Sequence, residues 1–398
     1  MDELEREAGT AEVKEAKPVK EVKKKKKRRR RRKRMSVGKM IVLDLLAIGV
    51  GLIAFALFHH VLDYWDIHLG EETAPVVLAT LPPQPTESAV PTETPQEIDS
   101  TPAPEAEPTP EPTPARVYSG VWGEKFADKF TEGEVIQTED SYRSENLCIT
   151  LSRVEEPGLV YFVADIYISD LQYLGTAFAT GEGNGEYNVG TEVQIDEIAR
   201  RVNAIVAING DHYKLHNGIV IRNGLLYRES QNEDVCVLYT DGRMETFTKD
   251  ELDIEEVKAA NPWQVWSFGP GLLDAEGHAK TFTDNQSNVL NVNVKNPRCA
   301  IGYYEPGHYC FVKVEGNRWH KFIGSYGMTF SEMATMFENL GCVRAYALDG
   351  GRSAAMSWLG EFLSTNYDRG SFDIVYVSDT PVVAAVPEEA ETSAESEG

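Results

Sequence analysis

Ala204-Ile205-Val206-Ala207-Ile208-Asn209-Gly210-Asp211-His212-Tyr213 is an apolar run that breaks straight into a polar loop, and its reading decides the fold. Five consecutive apolar residues fit a strand covered on both faces. Just beyond it, Gly218-Ile219-Val220-Ile221-Arg222-Asn223-Gly224-Leu225-Leu226-Tyr227 predicts two strands joined by an Asn-Gly turn. Asp241-Gly242 joins Asp234–Tyr239 to Arg243–Phe247, and Glu305-Pro306-Gly307 joins Ala300–Tyr304 to Tyr309–Val314. Two helices are expected, one over Val193–Arg201 and one opening at the capping box Thr329-Phe330-Ser331-Glu332 and ending at Gly341. Phe330, Met333, Phe337 and Leu340 give the second an apolar stripe suited to a core. The expected fold class is α+β: a mainly antiparallel sheet with packed helices, preceded by one transmembrane helix and a Pro-rich stalk.

A second polar segment follows the strand expected over Val343–Leu348. In Leu348-Asp349-Gly350-Gly351-Arg352-Ser353-Ala354-Ala355-Met356, a strand-end carboxylate is followed by two glycines, a guanidinium and a hydroxyl. Glycines there let backbone N–H groups approach a ligand or line an anion-binding nest. The same residues also suit a tight turn in which Asp349 caps its own backbone.

Four segments in order carry a family resemblance. They are Asn209-Gly210-Asp211-His212-Tyr213, Ser267-Phe268-Gly269-Pro270-Gly271-Leu272-Leu273, Asn296-Pro297-Arg298-Cys299-Ala300-Ile301-Gly302 and the Asp349 segment. From about Leu147 to Val377 the chain resembles the phosphodiester glycosidases. That family shows Asn-Gly-Gly-aromatic, Gly-Pro-x-Leu, Pro-Arg-Thr-Ala-Ile-Gly and Leu-Asp-Gly-Gly-Gly-Ser segments in this order.

The resemblance implies a sugar joined through its anomeric carbon to a phosphodiester, to be cleaved hydrolytically. Phosphate leaves readily, so the site needs anion binding and stabilisation of an oxocarbenium-like transition state more than a strong general acid. Asp349 is the expected catalytic carboxylate, as nucleophile or as the base for water. Asp211 and His212 stand where the family has its second Gly and the next residue. They are expected to supply the partner acid or base, or to ligate a divalent cation such as calcium, the one cofactor this reading admits. Arg298 is the first choice for phosphate, because its planar fork suits bidentate contact. Arg352, in place of the family's third Gly, and Arg222 are further candidates, although a hairpin arginine such as Arg222 is more often exposed. Asn209 would bond sugar hydroxyls, Ser353 a phosphate oxygen, and Gly210, Gly350 and Gly351 would bring backbone close to the ligand. The departures at Asp211, Arg352 and Ala354-Ala355 leave room for a non-catalytic envelope polysaccharide-binding relative involved in exopolysaccharide assembly.

The rest of the chain indicates where such a domain works. Lys23–Arg34 is an unbroken run of twelve basic residues, and Met40–Phe58 is nineteen residues whose only charge is Asp44. Such a length matches a bilayer core, and the basic cluster belongs on the cytoplasmic side. No small-residue cleavage site follows, and Tyr64 and Trp65 suit the outer interface. The expected division is a basic cytoplasmic segment (1–38), a transmembrane helix (39–61), a Pro/Thr/Glu-rich stalk (62–116), the glycosidase-like domain (117–386) and an acidic tail (387–398). Residues 1–40 carry 17 Lys and Arg against 7 Asp and Glu, leaving 22 basic and 56 acidic residues beyond them. So acidic an ectodomain excludes nucleic acid held by general electrostatics. Its expected partners are a sugar-phosphate or polysaccharide substrate and, through residues 23–61, membrane lipid. Five cysteines, in apolar runs without metal spacing, read as buried thiols, with one or two disulfides left open. The oligomeric state is not legible.

Overall fold

The computed structural model describes residues 39, 46, 48, 71–81, 119–283, 292–316, 324–363 and 369–382. The chain divides into two compact units, Met1–Asp66 and Ile67–Gly398. In the first, Lys39, Leu46 and Ile48 are helical. The expected span over 39–61 otherwise lies outside the described residues, as does the tail 387–398. Among the described residues no helix is long and apolar enough to cross a membrane.

The second unit is built mainly of antiparallel sheet, as expected, with few helices. Its strands are β1 (Glu71–Val77), β2 (Ile136–Gln137), β3 (Ser141–Arg143), β4 (Leu147–Glu156), β5 (Leu159–Ile168) and β6 (Leu174–Phe178). Next come β7 (Val206–Asn209), β8 (Gly218–Arg222), β9 (Leu225–Gln231), β10 (Val235–Tyr239), β11 (Met244–Phe247) and β12 (Pro262–Trp266). The last are β13 (Arg298–Glu305), β14 (His308–Val314), β15 (Arg344–Leu348), β16 (Met356–Trp358), β17 (Glu361–Phe362) and β18 (Asp373–Val377). They form a seven-stranded sheet (β15-β13-β14-β5-β4-β3-β2), a five-stranded sheet (β17-β16-β7-β18-β6) and a six-stranded sheet (β1-β9-β8-β12-β10-β11).

The expected hairpins are present. Asn223 (φ 51°) and Gly224 (φ 80°) both occupy the left-handed region, the geometry a two-residue Asn-Gly turn requires. Helices run over Ile195–Arg201 and Phe330–Asn339, the latter with its Thr329–Glu332 capping box formed. Phe330, Met333 and Phe337 pack on one face of the seven-stranded sheet with Ala300, Val312 and Ala345. The opposite face, with Ile149, Phe162 and Ile166, shares one core with Val206, Ile208 and Ile374 of the five-stranded sheet.

β1 falls inside the range assigned to the stalk. It pairs with β9, and the N–H groups of Leu78 and Ala79 both donate to Gly224 O (2.7 and 3.2 Å). Ala79 is buried beside the Asn-Gly turn and Val77 and Leu78 are half-buried, while Val76 stays exposed.

Candidate functional site

The site forms where strand ends of two sheets meet. β15 ends at Leu348, opposite Cys299 of β13, while Asn209 at the end of β7 pairs with Ile374 of β18. Asn209 ties the two ends together. Its Nδ2 donates to Asp349 O (2.6 Å) and its Oδ1 accepts from Ala355 N (3.0 Å), while Asp349 N donates to Gly210 O (3.1 Å). Asn209 is fully buried, so it positions the Asp349 turn and does not face a sugar.

Asp349 is 6% exposed. Its Oδ1 accepts from Gly350 N (2.8 Å) and its Oδ2 from Arg369 Nη2 (2.6 Å). Arg369 Nε donates to Ser353 Oγ (2.6 Å), so one guanidinium spans the carboxylate and the hydroxyl. Gly351 N donates to Pro297 O (2.8 Å). The two glycine N–H groups expected to line an anion nest are therefore engaged inside the protein, and Arg369 supplies the positive charge beside Asp349. Arg352 is exposed in the same short turn, Gly351–Ser353.

His212 follows β7 and is 5% exposed, with Phe372 edge-on at 5.1 Å between ring centroids. Its Nδ1 accepts from Leu215 N (3.3 Å), and its Nε2 lies 4.0 Å from Glu192 Oε1. Burial pushes the imidazole pKa below its ordinary value; Asp349 and Glu192 oppose the shift and Arg369 reinforces it. His212, Asp349, Arg369 and Glu192 thus form one electrostatic group.

Asp211 and Arg222 belong beneath this group. Asp211 is 2% exposed and Arg222 fully buried. Arg222 Nη2 donates to Asp211 Oδ2 (2.8 Å) and Nε to Asp373 Oδ2 (2.8 Å). Tyr213 Oη donates to Asp373 Oδ2 (2.5 Å), and the N–H groups of Asp211 and Ser267 close the hub on Asp373 Oδ1 (2.9 Å) and Asp211 Oδ2 (2.8 Å). Burial works against the Arg222 charge, but Tyr213, Asp373 and Asp211 outweigh it and hold its pKa above the usual value. Burial raises the Asp373 pKa, which Arg222 counters. The exposed hairpin arginine expected at 222 is thus a buried one, because two carboxylates and the Val265 carbonyl accept from it. A side chain at Gly210 would collide with the Asp373 carboxylate, so this glycine allows close approach to the hub and not to a ligand.

Arg298 is 4% exposed, stacks on Phe330 (4.0 Å to the ring centroid) and donates to Met328 O (3.0 Å) and Val294 O (2.9 Å). Burial pulls its pKa down to about 10. It packs beneath the Gly350 turn, its Nη1 3.8 Å from where a Gly350 Cβ would stand. Among the described residues no three His, Cys, Asp or Glu side chains come together to hold a metal ion.

Sequence reasoning missed Arg369, Asp373 and Glu192. Asp373 had a signal, a carboxylate within the apolar run Phe372–Val377, where a charge survives only if paired. Arg369 had a weaker one, a basic residue before Gly370-Ser371 in an acidic domain. Glu192, in a polar loop, had none.

The profile of the phosphodiester glycosidase family matches residues 202–383. The SPbeta prophage-derived uncharacterized protein YomE of Bacillus subtilis (strain 168) is 27% identical over 192 residues, 46% of this chain and 29% of that one. The chain thus spans under a third of that relative's length. Among solved structures, the catalytic domain of zebrafish N-acetylglucosamine-1-phosphodiester alpha-N-acetylglucosaminidase, auto-inhibited by its pro-peptide, is 18% identical with a TM-score of 0.45. The match covers 59% of this chain and 83% of that one. A hypothetical protein from Synechocystis is 15% identical with a TM-score of 0.41, over 59% of this chain and 62% of that one. All four segments that carried the resemblance lie within residues 202–383, the part of the chain that matches the phosphodiester glycosidase family.

Proposed function

We propose that the domain hydrolyses a glycosyl-1-phosphodiester of cell-envelope or exopolysaccharide material, releasing the sugar and leaving a phosphate monoester. The observation that carries the reading is the Arg369 bridge between Asp349 and Ser353. A phosphodiester anion competes with Asp349 for that guanidinium. Its binding neutralises the phosphate and frees the carboxylate at the same moment. Asp349 then attacks the anomeric carbon or deprotonates water. His212, kept neutral by burial, takes the proton of the water that completes hydrolysis. Arg352 and Ser353 flank the phosphate side.

The test is turnover of the full chain on a panel of sugar-1-phosphodiesters, N-acetylglucosamine-1-phosphodiester first, with and without chelator. Arg369→Lys keeps the charge and loses the fork, so kcat/KM should fall roughly 10- to 100-fold with the fold intact. Turnover by wild type that is unchanged in Arg369→Lys removes Arg369 from the site. Polymer binding without turnover of any member would favour the envelope polysaccharide-binding role.

His212 sets the pH dependence. Its lowered pKa keeps it neutral to below about pH 6.5, so kcat/KM should hold at neutral pH and fall as acid protonates it. The folded state binds this proton less readily than the unfolded chain, so His212 also subtracts stability as pH drops below about 6.5. In His212→Gln the acid limb should vanish together with most of the activity. An unaltered acid limb would assign it to another group.

The same proposal places residues 39–61 across a membrane, with Lys23–Arg34 against anionic lipid inside. Protease added to protoplasts should release the C-terminal domain. Digestion of the N-terminus with the domain protected would reverse the orientation.

A further inference from the structure

All five cysteines are free thiols. Cys310 Sγ lies 3.7 Å from Cys342 Sγ, and both residues are buried, at 0% and 3% exposure. Cys310 is in the middle of β14, whereas Cys342 sits between the helix Phe330–Asn339 and β15. The strand that separates them is β13, and the position between them is Gly302, paired with Cys310 on one side and Ala345 on the other. A Cβ at Gly302 would stand 2.7 Å from Cys310 Sγ and 2.8 Å from Cys342 Sγ. The missing side chain is what lets two sulfurs meet across an intervening strand. Phe337 closes the pocket from the helix, and Tyr304, on the same face of β13, lies against both sulfurs. Contact with Cys342 and burial hold the Cys310 thiol well above its ordinary pKa, the opposite of what a nucleophilic cysteine needs.

We propose that Cys310 and Cys342 close a disulfide that ties β14 to the start of β15, the strand whose far end carries Asp349. Reaching a bond of about 2.0 Å asks each sulfur to move by roughly 1 Å, within reach of side-chain rotation. The oxidant is an external disulfide. One cysteine thiolate attacks it, forming a mixed disulfide and expelling one thiol. The second thiolate attacks the mixed disulfide, the intramolecular bond forms and the second thiol leaves. The two cysteines lose two protons and two electrons, and the cleaved external bond takes them up as two thiols. Because the sulfurs are sealed in the folded domain, the exchange belongs to folding. An extracytoplasmic compartment supplies such an oxidant, although the bond itself is a property of the fold.

The test is a thiol count under denaturing conditions, on full-length chain refolded in a glutathione redox buffer and on chain exported to an oxidising compartment and alkylated at harvest. Two of the five thiols should be lost, and peptide mapping should join residues 310 and 342. The oxidised form should melt on the order of 5–10 °C above the reduced one. Cys310→Ser and Cys342→Ser should lose no thiol to oxidation, with Cys310→Ala in reserve where the serine variant fails to fold, while Cys148→Ser should still lose two. Five thiols in both preparations, a bond mapped to any other pair, or an oxidised form that melts no higher than the reduced one overturns the proposal.

Discussion

Asp349→Asn should lower kcat by roughly 10²-fold or more, with the protein still folded. Asparagine keeps the oxygen that accepts from Gly350 N, so the turn retains that bond. What it loses is the negative charge facing Arg369, replaced by an amide group whose N–H donors have no match in a guanidinium. Arg369 is a quarter exposed in this pair, so solvent screens the lost attraction and the stability cost should stay near about 1 kcal/mol. The reaction feels the change far more strongly, because a neutral amide can neither attack an anomeric carbon nor accept the proton of water. The competing view makes Asp349 a turn cap pinned by an arginine. It predicts a comparable stability loss, about 0.5–2 kcal/mol, but activity per folded molecule near normal. Thermal unfolding and turnover measured on one preparation separate the two. A folded, fully active Asp349→Asn protein would sink the mechanism.

The legible part of this chain was whatever local chemistry writes down. The Asn223-Gly224 and Asp241-Gly242 turns, the Thr329 capping box and the apolar stripe of its helix each depend on neighbours a few residues away, and each is present. The roles of single polar residues depended instead on partners far along the chain. Arg222 looked like an exposed hairpin residue because its acceptor, Asp373, lies 151 positions later. Asn209 looked like a sugar ligand because its acceptor, the Asp349 carbonyl, lies 140 positions later. The four motifs are brought together by the fold, but their spacing does not separate residues open to a ligand from those that hold the others in place. Cys342 shows the same limit: its place between helix and strand is local, but its neighbour Cys310 lies 32 positions away.

That division is sharpest at Arg222, and Arg222→Met should cost about 3–5 kcal/mol, among the larger losses available to a single change in this domain. Methionine fills much of the same volume but leaves Asp211 and Asp373 buried with no cation between them. Tyr213 and the Asp211 N–H still bond Asp373, so the loss is dominated by uncompensated charge and not by a cavity. The variant should therefore be sensitive to acid in an unusual direction. Burial already raises the Asp373 pKa, and removing Arg222 takes away the charge that counters it. A carboxyl whose folded-state pKa is raised contributes stability while it keeps its proton and loses that contribution as pH rises through the folded value. The deficit of Arg222→Met should accordingly shrink as pH is lowered and grow toward neutrality. Adding Asp373→Asn to Arg222→Met removes one of the stranded charges, so the double variant should regain a large part of the loss, a coupling that independent sites would not show. Denaturant midpoints for wild type, both single variants and the double variant, each at two pH values, give the whole pattern. A deficit under about 1 kcal/mol, or one indifferent to pH and to Asp373→Asn, would mean that the guanidinium is not what balances this hub.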